Sequence, residues 1–467
     1  MWDGLATNMK KLKITNSLVL LAAIAISAGG HAAGLTLGAD AGSNRESSFS
    51  LAQDETVNPD SKTSSETSSA GSGITGFIET EAARTYASPA HWSQGLFRVE
   101  LEHQGEFGEG LKYKISGRLG YDAVYDRSSF YPPAVRDDQR YDFQLRENYI
   151  DASAGDWEMR FGRQQIVWGK MVSLFFADVV SAKDLRQFIL PDFDILRIPQ
   201  WAARAEYFKD DFHAEFIWIP YASYDNIGKP GAEFYPIPAN PRFPFVVLGD
   251  EQPSHALRNS NYGLRLSTLK DGWDVAGFLY RSFDASPVLA FDPTVGAYRP
   301  QHDHITQVGG TLAKDLGGSV VLKAETVYTH GRRYFTNDLT SPTGLVPANT
   351  FVYVVGLEFS LPADTNFNIQ LFDNVFLDRD PNLFYSKHEA GTTLLLKRSF
   401  GHNVDAQALF IRSLDRDDWM FRPQVKWGFA KNWGLGVGAD IFDGPPTGFF
   451  GQYRNRDRVY TDLRYSF

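Results

Sequence analysis

The densest group of side chains with coordinating chemistry is His302-Asp303-His304. Two imidazoles around a carboxylate could hold a metal ion, but such a site needs further ligands and no neighbouring stretch supplies them. The plainer reading is a polar surface at the border of a loop and a strand. Ser–His pairs can be assembled at will from ten histidines, yet no phosphate-cradling glycine loop and no nucleophile elbow in a strand-to-helix setting occurs. Cysteine is absent, which removes disulfides and thiolate metal sites. No catalytic residue and no cofactor is expected, and a formal net charge of −10 argues against a nucleic-acid partner.

A different chemistry is written into Trp168 to Pro199. This stretch carries Asp178, Asp184, Arg186, Asp192, Asp194 and Arg197 among the apolar residues Leu174, Phe175, Phe176, Ile195 and Leu196. Loops exposed to water rarely have that mixture. Ser181 followed by Asp184 resembles a helix N-cap with an acidic N3 residue, and Leu185, Phe188 and Ile189 recur at helical spacing until Pro191. The expectation is a segment, residues 168–199, folded into a pore that it narrows, with those six charges along the path. The alternative is a lid packed over neighbouring outer loops.

A pore needs walls, and the C-terminus shows one. Val459, Thr461, Leu463, Tyr465 and Phe467 alternate with Tyr460, Asp462, Arg464 and Ser466. That two-residue period suits a strand with lipid on one side and water on the other. Tyr465 and the terminal Phe467 are read as the signal offered to the barrel-assembly machinery. Aromatics reach 14% of the chain, enough for girdles at both membrane interfaces. Outside the N-terminus no apolar run is long enough for a spanning helix, and mean hydropathy is negative.

Turn formers recur at Gly108-Glu109-Gly110, Ala154-Gly155-Asp156, Lys209-Asp210-Asp211, Lys270-Asp271-Gly272, 314–318, Pro362-Ala363-Asp364, Phe400-Gly401-His402 and Ala430-Lys431-Asn432. Long connections fall between them, around 126–141, 168–199, 221–259, 284–303, 331–349, 375–386 and 444–452, with shorter ones near 87–94 and 414–418. Eight short turns and nine outer connections predict an all-β, antiparallel transmembrane barrel of about 18 strands over residues 74–467. The weakest alternation, at Asp142 to Ser153, is where a hairpin could be miscounted.

Alternation turns Arg98, Glu100, Arg160, Arg204, Glu206, Arg265, Lys323, Glu325, Glu358, Asp462 and Arg464 toward the lumen. A Lys or Arg on the lipid face near the midplane would cost roughly 2–4 kcal/mol. So many charges in strands therefore imply a wet interior, and a ring of about 18 strands is wide enough to hold one. Ion-pair ladders that only brace the wall are the plainer account of any single residue among them.

Before the wall, Met9, Lys10, Lys11 and Lys13, then Leu18 to Ile26, then Gly30-His31-Ala32 read as a signal peptide over 1–32. Residues 33–73 are rich in Ser, Thr, Gly and Asp and are expected to form a disordered periplasmic leader. Phe234 to Phe245 holds prolines at 236, 238, 241 and 244, flanked by Pro230 and Pro253, and reads as a stiff outer loop.

Arg160-Phe161-Gly162-Arg163-Gln164-Gln165-Ile166-Val167-Trp168-Gly169, then Asp184-Leu185-Arg186-Gln187-Phe188-Ile189-Leu190, then Arg197-Ile198-Pro199-Gln200-Trp201 and Arg204-Ala205-Glu206-Tyr207 resemble the signature region of the proteobacterial outer-membrane proteins grouped as domain-of-unknown-function family 1302. The resemblance is strongest over 160–220. It implies the outer membrane of a Gram-negative bacterium and a link to movement of hydrophobic compounds, and supplies no site residues. The chain is expected to pass small polar or amphipathic solutes passively. The alternative is a plugged barrel serving an envelope exporter of lipids or other hydrophobic compounds. Lipopolysaccharide and other outer-membrane lipids are the expected surroundings, and the sequence leaves the oligomeric state open.

Overall fold

The computed structural model describes residues 73–108, 110–236, 246–377 and 379–467. The expected signal peptide, nearly all of the leader and most of the proline-rich stretch lie outside them. Eighteen strands form one antiparallel sheet: β1 Thr75–Thr85, β2 His91–Glu106, β3 Leu111–Asp122, β4 Tyr141–Ala154, β5 Trp157–Gln164, β6 Gln200–Lys209, β7 Phe212–Tyr221, β8 Asn261–Lys270 and β9 Trp273–Phe283 make the first half. The second half is β10 His304–Gly317, β11 Val320–His330, β12 Thr350–Leu361, β13 Thr365–Phe376, β14 His388–Ser399, β15 Val404–Ser413, β16 Trp419–Ala430, β17 Trp433–Asp443 and β18 Arg458–Ser466.

Each strand pairs with its neighbours in the chain, and β18 returns to β1 in the register Phe77↔Ser466 to Thr85↔Arg458. Beyond that seam Gly76 and Phe467 exchange two backbone hydrogen bonds of 3.0 Å. The sheet is therefore a closed ring with no free first or last strand, which the lipid environment demands.

The turns explain the ring locally. Asp271 and Gly272 both have positive φ, the backbone of a two-residue turn whose twist matches the strands it joins. Short connections of this kind alternate with long ones at the other end, as the count of turns and loops predicted. Asp142 to Ser153, where alternation is weakest, is nonetheless a continuous strand. Its pattern is disturbed by a bulge opposite Ser116, whose hydroxyl donates to Glu147 O (3.1 Å) and accepts from Glu147 N (2.9 Å).

Phe97, Leu101, Leu119, Phe143, Phe161, Leu264, Val355, Leu371 and Val437 are exposed on the outer face. The residues alternating with them are buried or half-buried and include most of the charges. Apolar groups thus face outward and polar ones inward, the inverse of a water-soluble sheet.

Candidate functional site

The connection between β5 and β6, residues 165–199, turns into the ring. Its first half lies on the wall of β7 to β13. Trp168 is buried there, and its Nε1 donates to Glu215 Oε2 at 3.0 Å. Gly263 on β8 makes room, since a Cβ at that position would stand 2.6 Å from the Trp168 ring. Glu325 on β11 accepts from the backbone N–H groups of Lys170, Met171 and Ala177, the last two at 2.8 Å. Gln370 on β13 donates to Val172 O (3.0 Å), and Lys170 pairs with Asp274 on β9. A carboxylate receiving three amide hydrogens fixes a backbone as a short strand partner would.

The second half is a hairpin: Ala182–Lys183 pairs with Arg197–Ile198, and a short helix, Phe193–Leu196, lies within it. The expected helix after Ser181 does not form. Ser181 Oγ donates to Ile166 O (2.9 Å) instead of capping, Leu185 N–H is drawn to Asn226 O (2.8 Å), and Leu185 to Ile189 closes as a turn with Phe188 at φ 55°. Tertiary partners outside the segment outweigh its helical spacing.

The hairpin spans toward the opposite wall. Arg118 on β3 donates to Ile195 O (3.1 Å), and Arg146 on β4 to Arg197 O (2.8 Å) and Asp194 O. Arg458 on β18 donates to Gln187 Oε1 (3.0 Å), and Lys426 on β16 stands 3.6 Å from Asp192. At the tip, Phe188 packs among Phe234, Phe442, Phe449, Phe450 and Tyr453, so two outer connections close over it.

Two clefts border the hairpin. One, of about 560 Å³, is lined by Glu79, Glu81, Arg98, Asp192, Arg422, Lys426, Arg458 and Asp462, among others; the second, of about 610 Å³, by Arg98, Arg118, Asp122, Asp142, Asp184 and Arg186, among others. They share Gln94, Arg98, Gln187, Pro191 and Ile195.

The six charges expected along the path are therefore divided. Asp184, Arg186 and Asp192 line the clefts; Asp178 and Arg197 pair with one another at 2.9 Å; the Asp194 carboxylate is largely exposed, 3.9 Å from Arg197. Burial alone would push the Asp184 carboxyl up, but the Arg186 guanidinium and N–H beside it hold it below the usual carboxylate range. Arg186 also reaches Asp142 on β4 at 2.9 Å.

Among the wall charges, Arg98 (2.5 Å from Glu79) and Asp462 border the clefts. Glu100 pairs with Arg118 (2.6 Å), Arg160 with Asp151 (2.6 Å), and Lys323 with Glu358 (2.8 Å). Arg204 bridges Glu206 and Glu215, Arg265 is buried in the wall, and Arg464 stacks 3.6 Å over Phe77. Glu325 is occupied in holding the segment. Tyr465 stacks near Trp433, and Phe467 closes the seam.

Arg118, Arg146, Arg422 and Arg458 escaped the sequence reading. Arg118 alternates with Gly117 and Leu119 and was legible; Arg146 sits at the bulge, where the period breaks. Ser267, His213 and Glu206 form a hydrogen-bonded chain (3.2 and 3.0 Å), but all three are buried and neither cleft reaches them. His302 turns to Asp284 O and Asp250 while Asp303 takes Arg333, so the 302–304 group does not converge. Among the described residues no three His, Asp or Glu side chains gather as for a metal ion.

A closed ring of 18 strands, apolar outside and charged inside, with one connection folded into its bore, defines a porin-like outer-membrane β-barrel. Residues 13–355 match the family "Protein of unknown function (DUF1302)", and the chain belongs to it. In structure it is similar to Acinetobacter baumannii OccAB2 (TM-score 0.52, 11% identity, 84% of this chain and 97% of that one) and OccAB1 (0.52, 11%, 84% and 96%). The outer membrane protein opdK from Pseudomonas aeruginosa is similar too (TM-score 0.50, 8% identity, 85% and 99%). Identities this low speak to the fold alone. No curated protein matches the sequence.

Proposed function

We propose that the protein is a passive channel for small polar or amphipathic solutes, which travel past the hairpin 182–198 through the two joined clefts. The observation that carries this reading is the asymmetric placement of the inward segment: residues 168–180 are fixed to one wall, and both clefts described above lie where the hairpin faces β1–β4 and β16–β18. The pore-narrowing role belongs to Asp184, Arg186 and Asp192, with Arg98 and Asp462 opposite. Cations and carboxylates line the path together, which favours solutes carrying both kinds of charge over simple ions. The sequence carries no phosphate-cradling glycine loop, and the reading is of movement down the gradient.

Planar-bilayer recording of the purified protein tests this. Stable ohmic steps are expected, with a larger step after deletion of residues 181–194. A silent protein, or an unchanged step in a deletion that still folds, would remove the reading. A second reading is supported by the aromatic cluster at the Phe188 tip, which could stopper the mouth of a barrel that partners an exporter of envelope lipids. It predicts silence in the bilayer and an amphiphile retained through purification.

A further inference from the structure

β5 stops short. Its pairing with β4 begins at Asn148↔Arg163, and above that level Tyr141–Glu147 has β3 alone beside it. The chain leaves the wall at Gln165 and regains it at Gln200, level with Gln164. A step is thereby cut into the wall, and among the described residues no strand pairs with the freed edge of β4. From inside, Arg146 ties the step to the hairpin. From outside it faces lipid, where bare backbone edges are not tolerated.

Arg163 stands at the foot of the step. Register puts it on the outer face with Phe161 and, across the strand pair, Trp201, both exposed. Exposed Ile150 and Phe161 lie below it and Leu145 and Phe143 above, so it sits within the apolar band. Its Nε donates to Leu145 O at 2.7 Å, on the free edge. That uses one of the five donors of a guanidinium. No carboxylate pairs with it among the described residues. A charge in that position calls for an anion from the surroundings. Asn148, its register partner, is the other polar side chain on this part of the outer face.

We propose that the step is a lipid-side binding site for an anionic single-chain amphiphile, its carboxylate on Arg163 and its chain along Leu145, Phe161 and Trp201. The inference rests on the barrel and not on whether the lumen conducts. It also gives a task to an arginine of the 160–169 signature that the lumen leaves unused.

Trp201 is a built-in reporter. Full-length protein in neutral detergent is titrated with 9,10-dibromostearate, whose bromines quench indole fluorescence, and in parallel with its methyl ester. The acid should quench at a concentration about tenfold lower than the ester, as one charge-assisted contact implies. The difference should vanish in Arg163→Gln and Trp201→Phe and persist in Arg163→Lys, with heat-modifiable migration confirming folded barrels. Equal quenching by acid and ester, or an unchanged difference in Arg163→Gln, overturns the proposal. So does displacement of the acid by lipopolysaccharide but not by stearate, which would assign Arg163 to lipid phosphate. Loss of an oligomer in Arg163→Gln with quenching intact would make the step a contact between copies of the chain.

Discussion

The two halves of the inward segment are held by different physics. Residues 168–180 are fixed by buried side chains that complete backbone hydrogen bonds, Glu325 and Gln370 above all, and by Trp168 in an apolar cluster with Ile217 and Phe278. The hairpin 182–198 is held from the opposite wall by Arg118 and Arg146 on its backbone carbonyls, by Arg458 on Gln187 and by the partly exposed pair Lys426–Asp192 beside the clefts, with Phe188 and Leu190 in an apolar cluster at its outer end. Buried bonds with no competing water are costly to break, whereas ion pairs in contact with water exchange cheaply. The first half is the anchor, and in the second the Lys426–Asp192 pair is the contact that gives most easily.

Removing the anchor should have the largest effect. Glu325→Ala leaves three backbone N–H groups without their acceptor, at about 4 kcal/mol in total after water has filled part of the space. The urea midpoint of the folded barrel should fall markedly, and single-channel records should lose a uniform step size. Glu325→Gln, which keeps one acceptor oxygen, should fall between. If Glu325→Ala unfolds like the parent, the distinction between the two halves is wrong.

Phe188→Ala probes the aromatic part of the apolar hold on the hairpin, which Leu190 shares. Its ring contacts five other aromatic rings at the outer mouth, and truncation of such a side chain costs about 3 kcal/mol. The loss should appear as wider conductance fluctuation and faster proteolysis of the outer connections, with the anchor intact.

The ring was legible because lipid on one side and water on the other force a two-residue period that nothing local overrides. Strand count followed from Gly- and Asp-bearing turns such as Asp271-Gly272. What escaped was set by distant partners. Leu185 and Phe188 are spaced for a helix, but Asn226 O, in the connection after β7 that runs beside the hairpin, takes the Leu185 N–H. Arg146 was hidden because a bulge places it and Glu147 on one side. The division of the six segment charges between clefts and internal pairs depends on which of them meets a wall residue, such as Lys426 or Asp142, far away in the chain.

Acid should loosen the outer end of the same hold. Glu233, in the connection after β7, accepts from Tyr131 (2.7 Å) and meets His91 at 3.0 Å, while Phe234 beside it packs on Phe188. Burial raises the Glu233 carboxyl, but His91, Arg456 and Tyr131 outweigh it and the net shift is downward. A carboxyl depressed in the fold contributes stability at neutral pH and loses it as pH falls from its unfolded value through its folded one. Conductance should therefore become noisier on acidification below about pH 4.5, and Glu233→Gln should remove that dependence. Persistence of the acid response in Glu233→Gln would move the latch elsewhere.

The smallest effect on stability, and the sharpest test of the comparison, belongs to Lys426 and Asp192. They stand 3.6 Å apart, both partly exposed to the cleft, one on the wall and one on the hairpin. An ion pair of this kind contributes no more than about 0.5–1 kcal/mol, and salt screens it. Lys426→Ala should leave the urea midpoint nearly unchanged. It also removes a cation from a cleft where cations and carboxylates are close to balance, so reversal potentials in a salt gradient should shift toward cation preference. The shift should be clear at low ionic strength and fade as salt approaches 1 M, where the screening length falls to about 3 Å. A midpoint that falls as far as in Glu325→Ala would show that the hairpin, too, is an anchor.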